Sequence, residues 1–519
     1  MFFGDWLYRR ELLSPDKIAL IDAEHGNLEI TYQLWNHRVN RMANFFQQAL
    51  GIGNGDRICI YSLNRMEYLD TIFACNKLGA ILQVINWRLT AGEIGRLITD
   101  FEPKVLMYGP EWTAQVEQIW QRVKPEPKLI CLGQPQRTGD ISWLEEAGRW
   151  PETQPEPVEL DWEDPWIICY TGGTTGLPKG AILNYRSLTW NSINTVVSWG
   201  LRPDDIVPHY MPMFHTGGIN VMMQPIVYVG GTTILCKGFD VDRIFNQIEG
   251  LGITFFFGVP VMLLAMIQHP RWESLDLSRV RLVMAGGGNC PRVVYEAFWK
   301  KGVEFKEGYG LTEAGPNTFW LPNEVAKNKI GSVGRPLFHV DVKIVNDSGN
   351  LLGANQVGEL MVRGPHVFGG YWKNPMATEA VLEDGWLHTG DLARMDEDNC
   401  YYIVGRLKNM IKSGGENIYP AEIEDILHSH PDILEAAVIP MPDSKWGEVG
   451  CAVVVLQPHS TLNDEGLIKW MKDRLAHYKV PKSVIFLNQL PKTGANKVDK
   501  KLLVEKLVKS KNDKQEEKP

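Results

Sequence analysis

A short apolar run, Trp166-Ile-Ile-Cys-Tyr170, leads directly into Thr171-Gly-Gly-Thr-Thr-Gly-Leu-Pro-Lys-Gly180. The run reads as a buried strand. A glycine-rich loop at a strand end is a common phosphate site in α/β proteins. Gly172, Gly173 and Gly176 let an anion approach the backbone, and Thr171, Thr174 and Thr175 add hydroxyl groups. Lys179 supplies a positive charge that a phosphate needs and a structural turn does not. The competing reading is a plain glycine-rich hairpin. The common P-loop of NTPases is excluded, because Lys179 follows Pro178 and Gly180 stands where that motif needs Ser or Thr.

Four further motifs follow in the chain. They are Gly308-Tyr-Gly-Leu-Thr-Glu313; Thr389-Gly-Asp391, preceded by Gly370-Tyr-Trp-Lys-Asn-Pro375; Gly405-Arg-Leu-Lys408; and Pro491-Lys-Thr-Gly-Ala-Asn-Lys497. In this order, with the loop, they resemble the acyl-adenylate-forming (ANL) superfamily of acyl-CoA synthetases, peptide-synthetase adenylation domains and beetle luciferases. The resemblance spans nearly the whole chain.

At 519 residues the chain exceeds one compact core, so two or more domains are expected. A net charge of −9 argues against nucleic acid as a partner. The eight cysteines are scattered without C-x-x-C spacing, which favours reduced thiols in a cytoplasmic protein. Asp5 interrupts any apolar signal stretch, and Leu251–Ile267 reads as a strand ending near Phe257 and a helix begun by Pro260, not as a transmembrane segment. Peripheral membrane contact stays open, as does the choice between monomer and homodimer.

Residues 58–133 alternate β-rich and helical stretches, the pattern of βαβ units on a mainly parallel sheet. Pro151–Pro165 reads as an acidic, solvated connector. A second alternation runs from Trp166 to Glu307. Beyond Gly331, short strands and turns predict a small β-rich subdomain. Past Lys408, a helix near Pro420–Ser429, strands near Ala436–Ile439 and Ala452–Leu456, and a helix near Asp464–Leu475 predict an α+β unit. The fold expected is α/β, with stacked parallel subdomains in residues 1–407 and a mobile α+β lid in 408–519.

The resemblance implies ATP, Mg²⁺ and coenzyme A as co-substrates and metal, and gives each motif a role. Thr171–Gly176 and Lys179 would hold the β- and γ-phosphates, Thr171 and Glu313 the Mg²⁺, and Thr312 the α-phosphate. Tyr309, after Gly308, would face adenine, against a competing role in core packing. Glu307 stands where glutamine is expected. Asp391 would accept the ribose hydroxyls, Arg406 would hold ribose or phosphate oxygens, and Lys497 would contact carboxylate and α-phosphate during adenylation. Lys408 would be the hinge. Lys412, Gly414 and Gly415 would face CoA, although a solvated Lys412 is an equal alternative.

For the acyl pocket, the resemblance points to His215 in Met213-Phe-His-Thr-Gly-Gly218 and to Gly286, Gly287 and Gly288. The bland alternative for His215 is a satisfied core histidine. No aspartate lies between Pro212 and Pro225 to anchor a substrate ammonium, so an amine-free carboxylic acid is expected. The reaction expected is ligation of that acid to CoA through an acyl-adenylate. A fatty acid is favoured because Ser413-Gly-Gly-Glu-Asn417 and Asn86-Trp-Arg-Leu89 resemble fatty acyl-CoA ligases. The alternatives are an aryl or arylalkanoate CoA ligase, an acyl-AMP ligase loading a carrier protein, and a non-catalytic nucleotide sensor. Glu313 and Lys497 argue against the last.

Overall fold

The computed structural model describes residues 4–507 except 125, 172–177, 289, 414–415, 444, 459 and 493–497. Its central element is a seven-stranded sheet in the order Ile141–Ser142, Lys128–Cys131, Val105–Tyr108, Arg57–Tyr61, Ile81–Val84, Pro165–Thr171, Lys179–Asn184. All neighbours are parallel except the last pair. The strands are short and apolar on both faces, as burial between helix layers requires. The helix Met66–Leu78 covers one face and is buried along its length. It stops at Gly79, whose φ of +67° a side chain would disfavour. Trp166 pins it to the sheet, donating from Nε1 to Ile72 O at 3.0 Å.

A second parallel set, Phe255–Gly258, Leu282–Ala285 and Glu304–Glu307, carries the later motifs. The helix Pro260–Gln268 starts on its proline, as the sequence predicts. A four-stranded sheet joins Ile206–His209 and Thr232–Leu235 to Ile18–Asp22 and Leu28–Thr31. The antiparallel β-rich unit contains Asp341–Val345, Gly358–Arg363, Trp386–Met395 and Tyr401–Arg406.

From Ile411 onward the chain builds its own α+β unit. The predicted strands are parts of one long hairpin, Ile433–Asp443 with Gly447–Leu456, and the helix Pro420–His428 packs on it. Ile411, Ile423, Leu427, Val438, Val454, Leu467 and Met471 form a hydrophobic core distinct from the clusters of the larger part. The 3₁₀ turn Leu407–Asn409 joins the two regions.

The connector Pro151–Pro165 leaves most of its side chains exposed, as a solvated linker should, and is also tied down along its backbone. Amide side chains along the helix Tyr32–Asn44 and beyond grip its carbonyls: Asn40 binds Glu152 O, Asn44 binds Pro151 O and Thr153 O, and Asn54 binds Glu159 O. These amides satisfy backbone carbonyls of an extended segment that has no sheet partner. Among the described residues, no helix is long and apolar enough to cross a membrane.

Candidate active site

The strands Pro165–Thr171 and Lys179–Asn184 form an antiparallel hairpin with Thr171 opposite Lys179. Hairpin topology and a phosphate cradle are therefore compatible, since the glycine-rich stretch joins two strands whose ends hold Thr171 and Lys179. Gly172, Gly173, Thr174, Thr175 and Gly176 lie outside the described residues. Thr171 Oγ1 donates to Glu313 Oε1 at 3.3 Å, although the two are far apart in sequence. Glu313 sits in the 3₁₀ turn Thr312–Ala314, and Phe368 N anchors its carbonyl at 2.9 Å. Tyr371 also donates to Glu313 Oε1, at 2.9 Å. A hydroxyl and a carboxylate converging at this edge are hard oxygen donors, and they fit a Mg²⁺ that takes its other ligands from phosphates and water.

The residues expected at the nucleoside end come from three segments that the fold brings together. Asp391 and Arg406 face each other in the antiparallel register. Arg406 Nε lies 2.9 Å from Asp391 Oδ1, and the Tyr309 hydroxyl donates to Asp391 Oδ2 at 2.6 Å. Thr389 Oγ1 accepts from Asp391 N at 3.1 Å and donates to Leu360 O at 2.6 Å, fixing the turn. Each carboxylate oxygen of Asp391 thus has one protein donor and keeps lone-pair capacity for a ribose hydroxyl. Beside them opens a cavity of about 360 Å³ lined by Thr389, Gly390, Arg406, Leu407 and Lys408. Burial, with Arg406 beside it, pushes the Lys408 ammonium below its usual range. The Tyr309 ring also packs edge-on against Phe319 at 5.8 Å, so the packing role is present alongside any adenine contact. Gly308 N bonds Ala285 O at 2.8 Å. Gly310 is obligatory, because a Cβ there would fall 2.2 Å from the Pro316 carbonyl. Thr312 is buried at the start of the 3₁₀ turn.

Of the residues expected at the acyl pocket, Gly286–Gly288 leave the strand Leu282–Ala285. Gly286 N bonds Gly258 O at 3.2 Å, and a Cβ at Gly286 would press within 2.8 Å of Phe257. Gly287 has φ +81°, and around Gly288 nothing stands within 4 Å of a Cβ position. His215 caps the helix Thr216–Ile219, with Nδ1 accepting from Gly217 N at 3.0 Å. It therefore has a structural task whether or not it also walls a pocket. Asn64, which the sequence did not flag, fixes this loop: its amide bonds Met211 O and Met213 N at 2.9 and 3.1 Å. Phe214 meets Trp87 edge-on at 5.8 Å, and Arg88 lies 4.8 Å over the Trp87 ring.

Glu307 ends the strand that leads into Gly308. Tyr295 OH donates to Oε2, and Cys290 N donates to Oε1 at 3.2 Å. Both bonds favour the carboxylate, yet burial outweighs them, and the Asp425 charge adds to it, raising the group from an ordinary 4.5 to about 7. A carboxyl raised on folding stabilises the fold most below its ordinary value, and that contribution is lost as pH rises through about 7. Glu307→Gln keeps the acceptor and removes the titration. Its unfolding free energy is expected to vary less between pH 5 and 8 than the parent's, by roughly 1–3 kcal/mol. Parallel stability profiles across that range would contradict this.

Lys412 is exposed on the strand Ile411–Ser413, and its N–H bonds Glu448 at 3.2 Å. Gly414, Gly415 and Lys497 lie outside the described residues. The flanks of Lys497 are tied down: Lys492 pairs with Val498 in a β-bridge and with Glu435 at 2.8 Å, and Lys500 pairs with Glu424 at 2.6 Å.

The AMP-binding enzyme family matches residues 9–372, and the AMP-binding enzyme C-terminal domain matches residues 422–497. The chain belongs to this family, the acyl-CoA synthetase branch of the ANL superfamily, and is an ATP-dependent acyl-CoA synthetase. Feruloyl-CoA synthase from Amycolatopsis sp is 39% identical over 495 residues, 95% of this chain and 97% of its own. Indoleacetate–CoA ligase from Aromatoleum aromaticum is 37% identical over 503 residues, 96% of this chain and 97% of its own. Solved structures of O-succinylbenzoate coenzyme A synthetase (MenE) from Bacillus subtilis superpose closely. The complex with the acyl-adenylate intermediate gives a TM-score of 0.85 at 30% identity, covering 96% of this chain and 98% of that one. The complex with ATP and magnesium ion gives 0.84 at 29%, covering 96% and 99%.

Proposed function

We propose that this AMP-forming CoA ligase acts on an aromatic or arylalkanoic acid, converting it with ATP and CoA to the aryl-CoA thioester, AMP and pyrophosphate. The observation that carries this reading is the pair of relatives at 39% and 37% identity over nearly the full chain, whose names specify ferulate and indoleacetate. The fatty-acid expectation gives way to this alternative. Asn86–Leu89, one of its two supports, contributes Trp87 to an aromatic contact with Phe214, next to His215.

The chemistry follows from what a carboxylate lacks. Its oxygen is a poor leaving group, so the acid attacks the α-phosphorus of ATP, pyrophosphate departs, and the oxygen becomes part of AMP. Thr171, Lys179 and Thr312 would grip the phosphates, and Tyr309, Asp391 and Arg406 the nucleoside. Thr171 and Glu313 would hold Mg²⁺, which supplies charge neutralisation at the phosphates when bound. Lys497 would bridge the carboxylate and α-phosphate oxygens, stabilising the charge that builds between them. The CoA thiolate then attacks the acyl carbon and expels AMP, with the pantetheine arm passing Gly414 and Gly415 and with Lys412 near its phosphates. Residues 1–407 would form the nucleotide and acid sites. Residues 408–519 would swing about Lys408 between the two steps.

A panel of carboxylic acids scored by CoA-dependent AMP release tests the substrate class. Cinnamate-type, indolyl and succinylbenzoate-like acids are expected to exceed straight-chain fatty acids by at least about tenfold in kcat/KM. Preference for fatty acids of any length would overturn the assignment. Transfer only to a carrier protein, with none to CoA, would exclude the ligase reading itself.

A further inference from the structure

The segment Gly370-Tyr-Trp-Lys-Asn-Pro375 has no task in the reaction as described, yet its tyrosine touches the two groups assigned to the charged end of ATP. The Tyr371 hydroxyl donates to Glu313 Oε1 at 2.9 Å. The Tyr371 ring centroid lies 5.0 Å from Lys179 Nζ. We propose that Tyr371 is a positioning residue for the metal and phosphate end of the site, its hydroxyl orienting the Glu313 carboxylate and its ring face seating the Lys179 ammonium. This rests on the assignment of Glu313 to Mg²⁺ and Lys179 to phosphate.

The backbone around Tyr371 is built for precision. Gly369 N bonds Ile182 O, Ile182 N bonds Gly370 O, and Trp372 N bonds Gly180 O, at 2.8, 2.9 and 2.7 Å. The segment is thereby laid along the outer edge of the strand Lys179–Asn184. Tyr371 N donates to Thr378 Oγ1 at 2.8 Å, and the Thr378 hydroxyl donates to Asn374 O at 3.0 Å. Gly370 has φ +111°, and a Cβ there would lie 2.8 Å from Thr378 Cγ2, so glycine is required for this approach. Phe368 packs edge-on against the ring at 5.0 Å. The same segment anchors the Glu313 backbone through Phe368 N. One short stretch therefore fixes Glu313 at main chain and side chain.

The division of the Glu313 oxygens gives the contact its consequence. Thr171 and Tyr371 both donate to Oε1, which leaves Oε2 without a protein partner among the described residues. Mg²⁺ tolerates little deviation from octahedral geometry, so a carboxylate held by a fixed donor meets it at lower cost than a freely turning one. The Tyr371 ring presents a negative face to Lys179 and keeps that ammonium over the hairpin mouth.

Two substitutions separate the functions of this side chain. Tyr371→Phe keeps the ring and loses the hydroxyl, whereas Tyr371→Leu loses both. The probe is Mn²⁺ binding measured by electron paramagnetic resonance with a non-hydrolysable ATP analogue, alongside KM for ATP and the Mg²⁺ dependence of pyrophosphate release. Tyr371→Phe is expected to weaken Mn²⁺ binding by about 10-fold with KM for ATP nearly unchanged. Saturating Mg²⁺ should restore most of its adenylation rate. Tyr371→Leu should weaken Mn²⁺ binding similarly and also raise KM for ATP. Should the leucine variant fail to fold, the phenylalanine variant decides the matter alone. Parent-like Mn²⁺ affinity in Tyr371→Phe, while Glu313→Gln binds Mn²⁺ weakly, overturns the positioning role and leaves the metal site standing. Parent-like Mn²⁺ affinity in Glu313→Gln removes the metal site as well.

Discussion

Replacing Lys497 with alanine is expected to cut acyl-AMP formation by about 10²–10³-fold, the loss seen when one donor to a developing negative charge is removed. Thioester formation from supplied acyl-AMP should be largely preserved. The asymmetry follows from the proposed division of labour, since a lysine on a swinging unit serves the step during which it is docked. Glu424 and Glu435 hold the flanks of its segment in ion pairs with Lys500 and Lys492, so the substitution leaves the supports of the loop intact. Rapid-quench assays of the two half-reactions on one preparation check this. An equal fall in both steps would mean that Lys497 does not leave the site between them.

Glu313→Gln should lower adenylation by roughly 10²-fold, with partial rescue at high Mg²⁺ and little change in affinity for the acid. Glutamine keeps the size and one acceptor oxygen, so the bonds from Thr171 and Tyr371 have a partner. What disappears is the charge offered to the metal. A general base at this position would behave otherwise, with no Mg²⁺ sensitivity and a limb of the pH–rate profile lost in the variant. The acid is already ionised at neutral pH and needs no base. Adenylation rates titrated against Mg²⁺ in both proteins decide the point, and superimposable curves would remove Glu313 from the metal site.

These two residues also show how much the chain declares before it folds. Glycine-rich loops and short motifs are local statements, so Thr171, Lys179, Thr312, Glu313, Asp391 and Arg406 could all be picked out directly. The structure brings Thr171 to Glu313 and Tyr309 and Arg406 to Asp391. Pro260 likewise announced its helix, and the alternation of residues 58–133 announced a parallel sheet. Features created by distant pairing stayed hidden. Ile18–Asp22 joins Thr232–Leu235 only through the fold, and no local pattern marks that partnership. Asn64 reads as an ordinary loop residue until Met211 and Met213 arrive beside it. Tyr371 sat inside a recognised motif without a visible task, because its two partners come from segments far away in the chain. The amides that hold the connector stayed hidden for the same reason, since they lie about 100 residues earlier.

The central claim is that an aromatic carboxylate attacks the α-phosphorus of ATP and gives up one of its oxygens to AMP. Incubation of the enzyme with a cinnamate-type acid carrying heavy oxygen in its carboxylate, together with ATP, Mg²⁺ and CoA, tests it by mass spectrometry of the products. The account predicts one heavy oxygen in AMP, none in pyrophosphate, and one retained in the thioester carbonyl. Unlabelled AMP, or ADP with labelled phosphate, would contradict it.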